Sequence, residues 1–260
     1  MIRIFKSSFE GSIHLAISGG LGNQLFQLAG LLALSRTNYR HAFIDTRHFM
    51  RIGRPDHEQI GISHLINHYQ IEQYSSSELQ YFLLRLLRRF FPTNPFIQFA
   101  NEQNIDYTLR KPSSLYIYDA CFQDPSFVLS NISSHYNIAT SIKKLEISES
   151  LYHLQREVSN NKTLVIHYRG GDHLANQTLY NHDQSYYYSC IEKALNKSNI
   201  DQIVVCTNQK VVPTFLRSNP FRIPISSASL ETHKISPWQL LKLFSISKNL
   251  IITNSTFSWW

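Results

Sequence analysis

The stretch from Ile13 to Ser35 limits most what this chain can become. IHLAIS (Ile13–Ser18) alternates as a strand does, GGLGNQ (Gly19–Gln24) is a glycine-rich turn, and LFQLAGLLALS (Leu25–Ser35) is an apolar helix. The pattern returns after mid-chain. TLVIHYRGGDH (Thr163–His173) is a strand running into a polar loop, followed by a helix over Ser185–Ser198 and a strand, QIVVCTN (Gln202–Asn208). A second helix follows at Ser236–Ser247, with Ser at the N-cap and Pro at the first helical position, and NLIITNSTFSWW (Asn249–Trp260) is a strand entering a further helix. HAFID (His41–Asp45) and SLYIYDA (Ser114–Ala120) add strands to the first half, and Ser75–Phe91 adds a helix. Strands alternating with helices in both halves predict an α/β chain with two parallel-sheet layers. The Ser- and Asn-rich stretch 130–161, with one helix expected over Ile142–Val158, divides it into domains 1–158 and 159–260.

Composition removes several classes. With 260 residues, 43% hydrophobic and 17% charged, the chain is globular rather than fibrous or disordered. Cys121, Cys190 and Cys206 are widely spaced, which fits a reducing compartment and argues against structural zinc. No apolar run reaches the roughly 18–20 residues that span a bilayer, and the opening MIRIFKSSFEGSIHL is too interrupted for a signal peptide. A cytoplasmic location is expected, and the five N-x-S/T triplets (Asn131, Asn161, Asn176, Asn196, Asn254) read as chance. The net charge of +7 favours an anionic partner, yet no nucleic-acid-binding signature accompanies it. The helix Tyr81–Phe91 carries Arg85, Arg88 and Arg89 among apolar residues. It reads first as a packing helix with one basic edge, and second as a helix lying on an anionic membrane surface.

Three segments carry candidate chemistry. At the N-terminal turn, glycines let backbone amides approach a phosphate, and Gly20-Leu21-Gly22 with Asp45 as a ribose contact is a partial dinucleotide fingerprint lacking its third glycine. Asn23 and Gln24 beside that turn are amides suited to sugar hydroxyls. In His167-Tyr168-Arg169-Gly170-Gly171-Asp172 a strand delivers His167 and Arg169 to its C-terminal end, where open α/β sheets bind ligands, and Asp172 is placed to orient the loop. Arg is the natural clamp for a phosphate because its fork of donors is planar and permanently charged. In Asn254-Ser255-Thr256-Phe257, Asn254 or Ser255 caps a helix, and the small hydroxyls add donors for an anion. There is no Walker-type loop, no Asp-x-Asp metal clamp, no GxSxG elbow and no HExxH pair.

Taken in order, GGLGNQLFQ, IHYRGGD and IITNSTFSWW, with Ala120-Cys121-Phe122-Gln123 between them, resemble the α1,2-fucosyltransferase family of inverting glycosyltransferases. The resemblance implies a GT-B-like fold, two Rossmann-type domains facing a central cleft, with the N-terminal one on the acceptor side. It implies GDP-fucose as donor, no metal or other cofactor, and transfer to the 2-hydroxyl of a galactoside with inversion. Arg169 and His167 fall on the family's diphosphate-binding segment and are the expected catalytic residues, Asn254, Ser255, Thr256 and Phe257 lie near the donor's phosphates, and Gly22, Asn23 and Gln24 match the N-terminal loop. Asp172 joins them as a donor-side residue, and Gly170 stands where the family has a second Arg. Members of the family continue past the tryptophan pair, whereas this sequence ends at Trp260. A bacterial setting, surface polysaccharide such as O-antigen built on a lipid-linked, galactose-terminated acceptor, follows from the resemblance. Two other classes stay open: an NAD(P)-dependent enzyme using Gly20–Asp45, and a degenerate glycosyltransferase that binds a glycan or a protein without turnover.

Overall fold

A computed structural model of the chain describes residues 11–38, 41–47, 61–91, 97–101, 114–118, 120–169, 184–207, 216, 218, 220–229 and 235–260. It divides into two compact units, Met1–Ile138 and Ala139–Trp260.

In the first unit, β1 (Ser12–Ala16), β2 (His41–Asp45), β3 (Glu72–Tyr74), β4 (Ile97–Ala100) and β5 (Ser114–Ile117) form a sheet in the order β3-β2-β1-β5-β4. Every pairing is parallel. β5 is buried along its whole length, as a central parallel strand must be. Helix α1 (Leu21–Asn38) follows β1, and Leu25, Leu28, Ala29 and Leu31 on it are fully buried. The remaining helices are α2 (Ser63–His68), α3 (Glu78–Phe90), α4 (Pro125–Ser130) and α5 (Ile132–Lys143). Ser77 caps α3 with a capping box: its hydroxyl accepts from the Gln80 amide, and the Gln80 side chain accepts from the Ser77 amide.

The second unit repeats the plan. β6 (Thr163–Tyr168), β7 (Gln202–Thr207), β8 (Ile225–Ser229) and β9 (Asn249–Ile251) pair in parallel in the order β8-β7-β6-β9. Its helices are α6 (Tyr152–Ser159), α7 (Gln184–Lys197), α8 (Pro237–Ile246) and the single turn α9 (Thr256–Trp259). Strand alternation sorts the β6 side chains between two faces. Leu164, Ile166 and Tyr168 pack on Tyr187 and Ile191 of α7, whereas His167 lies against Phe244 of α8. The α/β class with two parallel sheets expected from the sequence is what the chain adopts.

Three expectations are corrected. α1 begins at Leu21, not Leu25, because the turn closes at Gly19 and Gly20; Gly22, Asn23 and Gln24 therefore lie in the first helical turn. The single helix expected over Ile142–Val158 is two: α5 ends at Lys143, and a 3-10 turn at Glu149–Leu151 starts α6. Consequently the units divide at 138/139 rather than 158, since α6 packs on α8 and β6. Sequence reasoning also passed over β3, β4 and β8, which all lie at sheet edges and lack long apolar runs.

Candidate active-site residues at two sheet switch points

In an open parallel sheet, ligands bind beyond the C-terminal strand ends where the chain leaves one strand and its neighbour in opposite directions. Each unit has one such point. In the first unit it lies between β1 and β5, and in the second between β6 and β9. The motif residues gather at these two places.

At the β1/β5 point, Ile17 and Ser18 lead to Gly19, whose φ of +76° is the left-handed conformation that glycine accepts without strain. A Cβ on Gly19 would come within 2.8 Å of Asn23 Nδ2, so the turn is also a seat for that side chain. Gln24 is not available to a ligand. It is 1% exposed, donates Nε2–H to the Gly19 carbonyl (2.8 Å) and accepts at Oε1 from the Gly61 amide (2.8 Å). Gln27 holds the other side of the turn by accepting from the Ser18 amide at 3.0 Å. Gly22 is buried in the helix and Asn23 is half-buried.

The loop after β5 reaches the same place by a different device. Phe122 is buried with φ +56°, left-handed for a side-chain-bearing residue, and its ring occupies the notch left by Gly30 of α1. A Cβ on Gly30 would meet that ring at 2.3 Å. With Phe122 anchored, Gln123 donates Nε2–H to Asn23 Oδ1 at 3.1 Å, and a pair of amides bridges the switch point. Gln123 was not among the expected site residues. Its signal was the aromatic-Gln pair just beyond a strand.

At the β6/β9 point the register pairs Ile166 with Ile251, which carries Arg169 forward alongside the Asn254–Ser255 segment. Arg169 Nη1 donates to Ser255 Oγ at 3.0 Å. Ser255, rather than Asn254, is the N-cap of α9, and its Oγ also accepts from the Phe257 amide at 3.3 Å. Ser258 Oγ shares its one proton between the carbonyls of Thr253 (3.0 Å) and Ser255 (3.1 Å), so the β9–α9 loop is braced from inside. It is braced from α7 as well, where Tyr186 OH donates to the Ile252 carbonyl at 2.7 Å. Tyr187 bonds the Thr253 side chain, and burial pushes its phenol up to about 12. The helix expected here is one turn long, so its dipole contributes little.

His167 is 4% exposed, with its ring 5.1 Å from that of Phe244 and 5.7 Å from that of Phe257. Through these rings it couples α8 and α9 to the strand end. Asn254 and Thr256 flank the cap. Gly170, Gly171 and Asp172 lie outside the described residues.

The dinucleotide reading loses its ribose contact. Asp45 is 2% exposed and its oxygens are filled by the protein. Oδ1 accepts from the amides of Arg47 (3.0 Å) and Ser76 (3.1 Å), and Oδ2 accepts from the hydroxyls of Tyr116 (2.9 Å) and Ser76. Burial, and then the Asp45 carboxylate, push the phenols of Tyr74 and Tyr116 far up, so both stay protonated donors. Among the described residues, no three His, Cys, Asp or Glu side chains come together as a metal site requires, and no helix is long and apolar enough to cross a membrane.

The model for the family described as glycosyl transferase family 11 matches residues 116–260, more than half of the chain. The O-antigen biosynthesis glycosyltransferase WbnK of Escherichia coli is 24% identical over 288 aligned positions, covering 95% of this chain and 88% of that protein. Among solved structures, the NodZ alpha-1,6-fucosyltransferase co-crystallized with GDP aligns with 96% of this chain and 91% of its own at 14% identity and a TM-score of 0.47. The R284K mutant of Arabidopsis thaliana FUT1 in complex with GDP aligns with 98% and 69% respectively, at 11% identity and a TM-score of 0.48. At that level of likeness the fold class rests on the strand order itself.

Proposed function

The chain belongs to glycosyl transferase family 11, the family its motifs resemble, and from that premise we propose that this glycosyltransferase moves L-fucose from GDP-fucose to the 2-hydroxyl of a galactoside with inversion. The acceptor oxygen attacks the anomeric carbon of fucose, the bond from that carbon to the diphosphate oxygen breaks, GDP departs with the electron pair, and the acceptor hydroxyl gives up its proton to the departing diphosphate or to water. Negative charge grows on the leaving diphosphate, so donors aimed at it stabilise the transition state more than the ground state.

One observation carries this reading: Arg169 is held against Ser255 across the β6/β9 switch point. A guanidinium carries five N–H donors in a planar fork whose geometry matches two phosphate oxygens. Ser255 Oγ accepts twice and keeps its own proton to donate. His167 positions this pair through Phe244 and Phe257 and does not touch the donor. Asn254, Thr256 and Phe257 shape the edge of the donor site. In the first unit, the amides of Asn23 and Gln123 meet sugar hydroxyls, while Gly22 lets backbone approach. The diphosphate charge is met by side chains, so no metal is needed. The product belongs to surface polysaccharide on a galactose-terminated acceptor, a setting the likeness to an O-antigen glycosyltransferase supports.

The test is transfer from GDP-fucose to a terminal galactoside, with linkage read from the product. Arg169→Ala is expected to lower turnover by roughly 100- to 1,000-fold. Arg169→Lys should fall nearly as far, because a point charge does not replace a bidentate fork. EDTA should leave the rate unchanged. Near-normal turnover in Arg169→Ala would remove the clamp, and a rate restored only by a divalent ion would remove the metal-free mechanism.

A further inference from the structure

Helix α3 is turned the wrong way for a packing helix. Leu79, Phe82, Leu83, Leu86 and Phe90 recur at the three- and four-residue spacing of one helical face. That face points at solvent: Leu79 is 52% exposed, Phe82 56% and Phe90 63%, and Phe91 just beyond the helix is 61% exposed. Toward the protein, only Leu84 is buried, packed with Ile97 and Tyr116. The other inward groups are polar or aromatic. Arg88 lies 4.1 Å over the Tyr118 ring, and Tyr81 lies under Arg47 at 4.3 Å. Arg85 and Arg89, one turn apart and both exposed, run along one border of the apolar strip. A continuous exposed strip of this kind marks a surface that is covered in use.

We propose that α3 is a membrane-docking helix, lying in the interface of an anionic lipid bilayer with Leu79, Phe82, Leu83 and Phe90 among the acyl chains and Arg85 and Arg89 on the headgroups. Charge selects this occupant. Two copies of the strip packed on each other would bring Arg85 and Arg89 toward their own kind on a chain that is already +7. An anionic surface turns the same arginines into an attraction. The strip is about 20 Å long, enough to lie flat but too short to span. The edge basicity weighed from the sequence is thus real, but the apolar face beside it looks outward. The proposal stands apart from the transfer reaction, since no α3 residue belongs to either switch point.

Flotation of the full chain with vesicles tests it. Vesicles of phosphatidylcholine alone are compared with vesicles of phosphatidylcholine and one-third phosphatidylglycerol, at low and high salt. The chain is expected to float with the anionic vesicles and to be released by salt. Arg85→Gln with Arg89→Gln should weaken partition to the anionic vesicles by about 30-fold, at roughly tenfold per 1.4 kcal/mol and about 1 kcal/mol per arginine. Leu79→Ser, Phe82→Ser and Phe90→Ser together should abolish flotation. The melting temperature should hold in both variants, since these side chains already face water. Failure of the unaltered chain to float on anionic vesicles, or equal flotation of all three proteins, overturns the proposal. So does sedimentation velocity showing a dimer that the triple serine variant dissolves, for then the strip covers a second copy.

Discussion

His14 stacks on Phe43 with ring centroids 4.7 Å apart, bonds Ser12 Oγ at 2.9 Å, and is held neutral by burial, which lowers its pKa to about 3. The unfolded chain protonates this ring below pH 6.5 and the native chain does not until about pH 3, so stability falls as the pH drops through that window. At pH 5 the loss from His14 alone is about 2 kcal/mol. Urea unfolding at pH 7 and pH 5 checks it: His14→Phe, which keeps a stacked ring, should lose about 2 kcal/mol less than the unaltered chain. Equal losses would mean the ring is not held neutral. Residue types were legible here, but their roles were not. A buried Asp45 and a ribose-binding Asp45 have the same spelling, and what separates them is Ser76 and Tyr116, which arrive from distant parts of the chain. Gln24 misled in the same way, because its partner Gly61 is 37 residues downstream. The place of Arg169 was legible, since an Arg at the end of an apolar strand has its position set by β6 itself.

At the scale of elements, the join between α1 and the loop after β5 is a knob in a notch. Gly30 has no side chain, the Phe122 ring fills that space, and Gln123 is brought to Asn23. Gly30→Ala forces the ring out and should cost about 1–3 kcal/mol, as overpacking does. It should also weaken any sugar bound through Gln123. Chemical denaturation measures the first effect, and adding Phe122→Leu should recover part of it by making room. No recovery would mean that the notch is not what Phe122 occupies. The legible elements were those whose burial leaves a mark in composition, namely β1, β2, β5, β6, β7, α1 and α8. The edge strands β3, β4 and β8 read as loops because one flank of each has no partner strand and their side chains are mixed. For α3 the apolar residues were plain, yet periodicity gives a face without saying which way it looks.

Over the whole molecule, each unit has its own sheet, its own core and its own bridged switch point. A donor held by Arg169 and Ser255 should therefore protect one unit before the other. With GDP-fucose at about 100 times its dissociation constant, the stabilisation is about 2.7 kcal/mol. Hydrogen exchange should find it first in β6 and the β9–α9 loop, with β2 and β3 little changed. Protection by NAD confined to residues 12–45 would instead restore the dinucleotide reading.

The two bridges, Asn23 to Gln123 and Arg169 to Ser255, each close within a single unit. Neither half of the chemistry waits on the other to take shape. For a lineage of such proteins this amounts to separable inheritance: under the function proposed above, the half with Arg169 and Ser255 can stay as it is while the half with Asn23 and Gln123 is reworked. A hybrid gene joined near position 138 would then inherit one bridge from each parent.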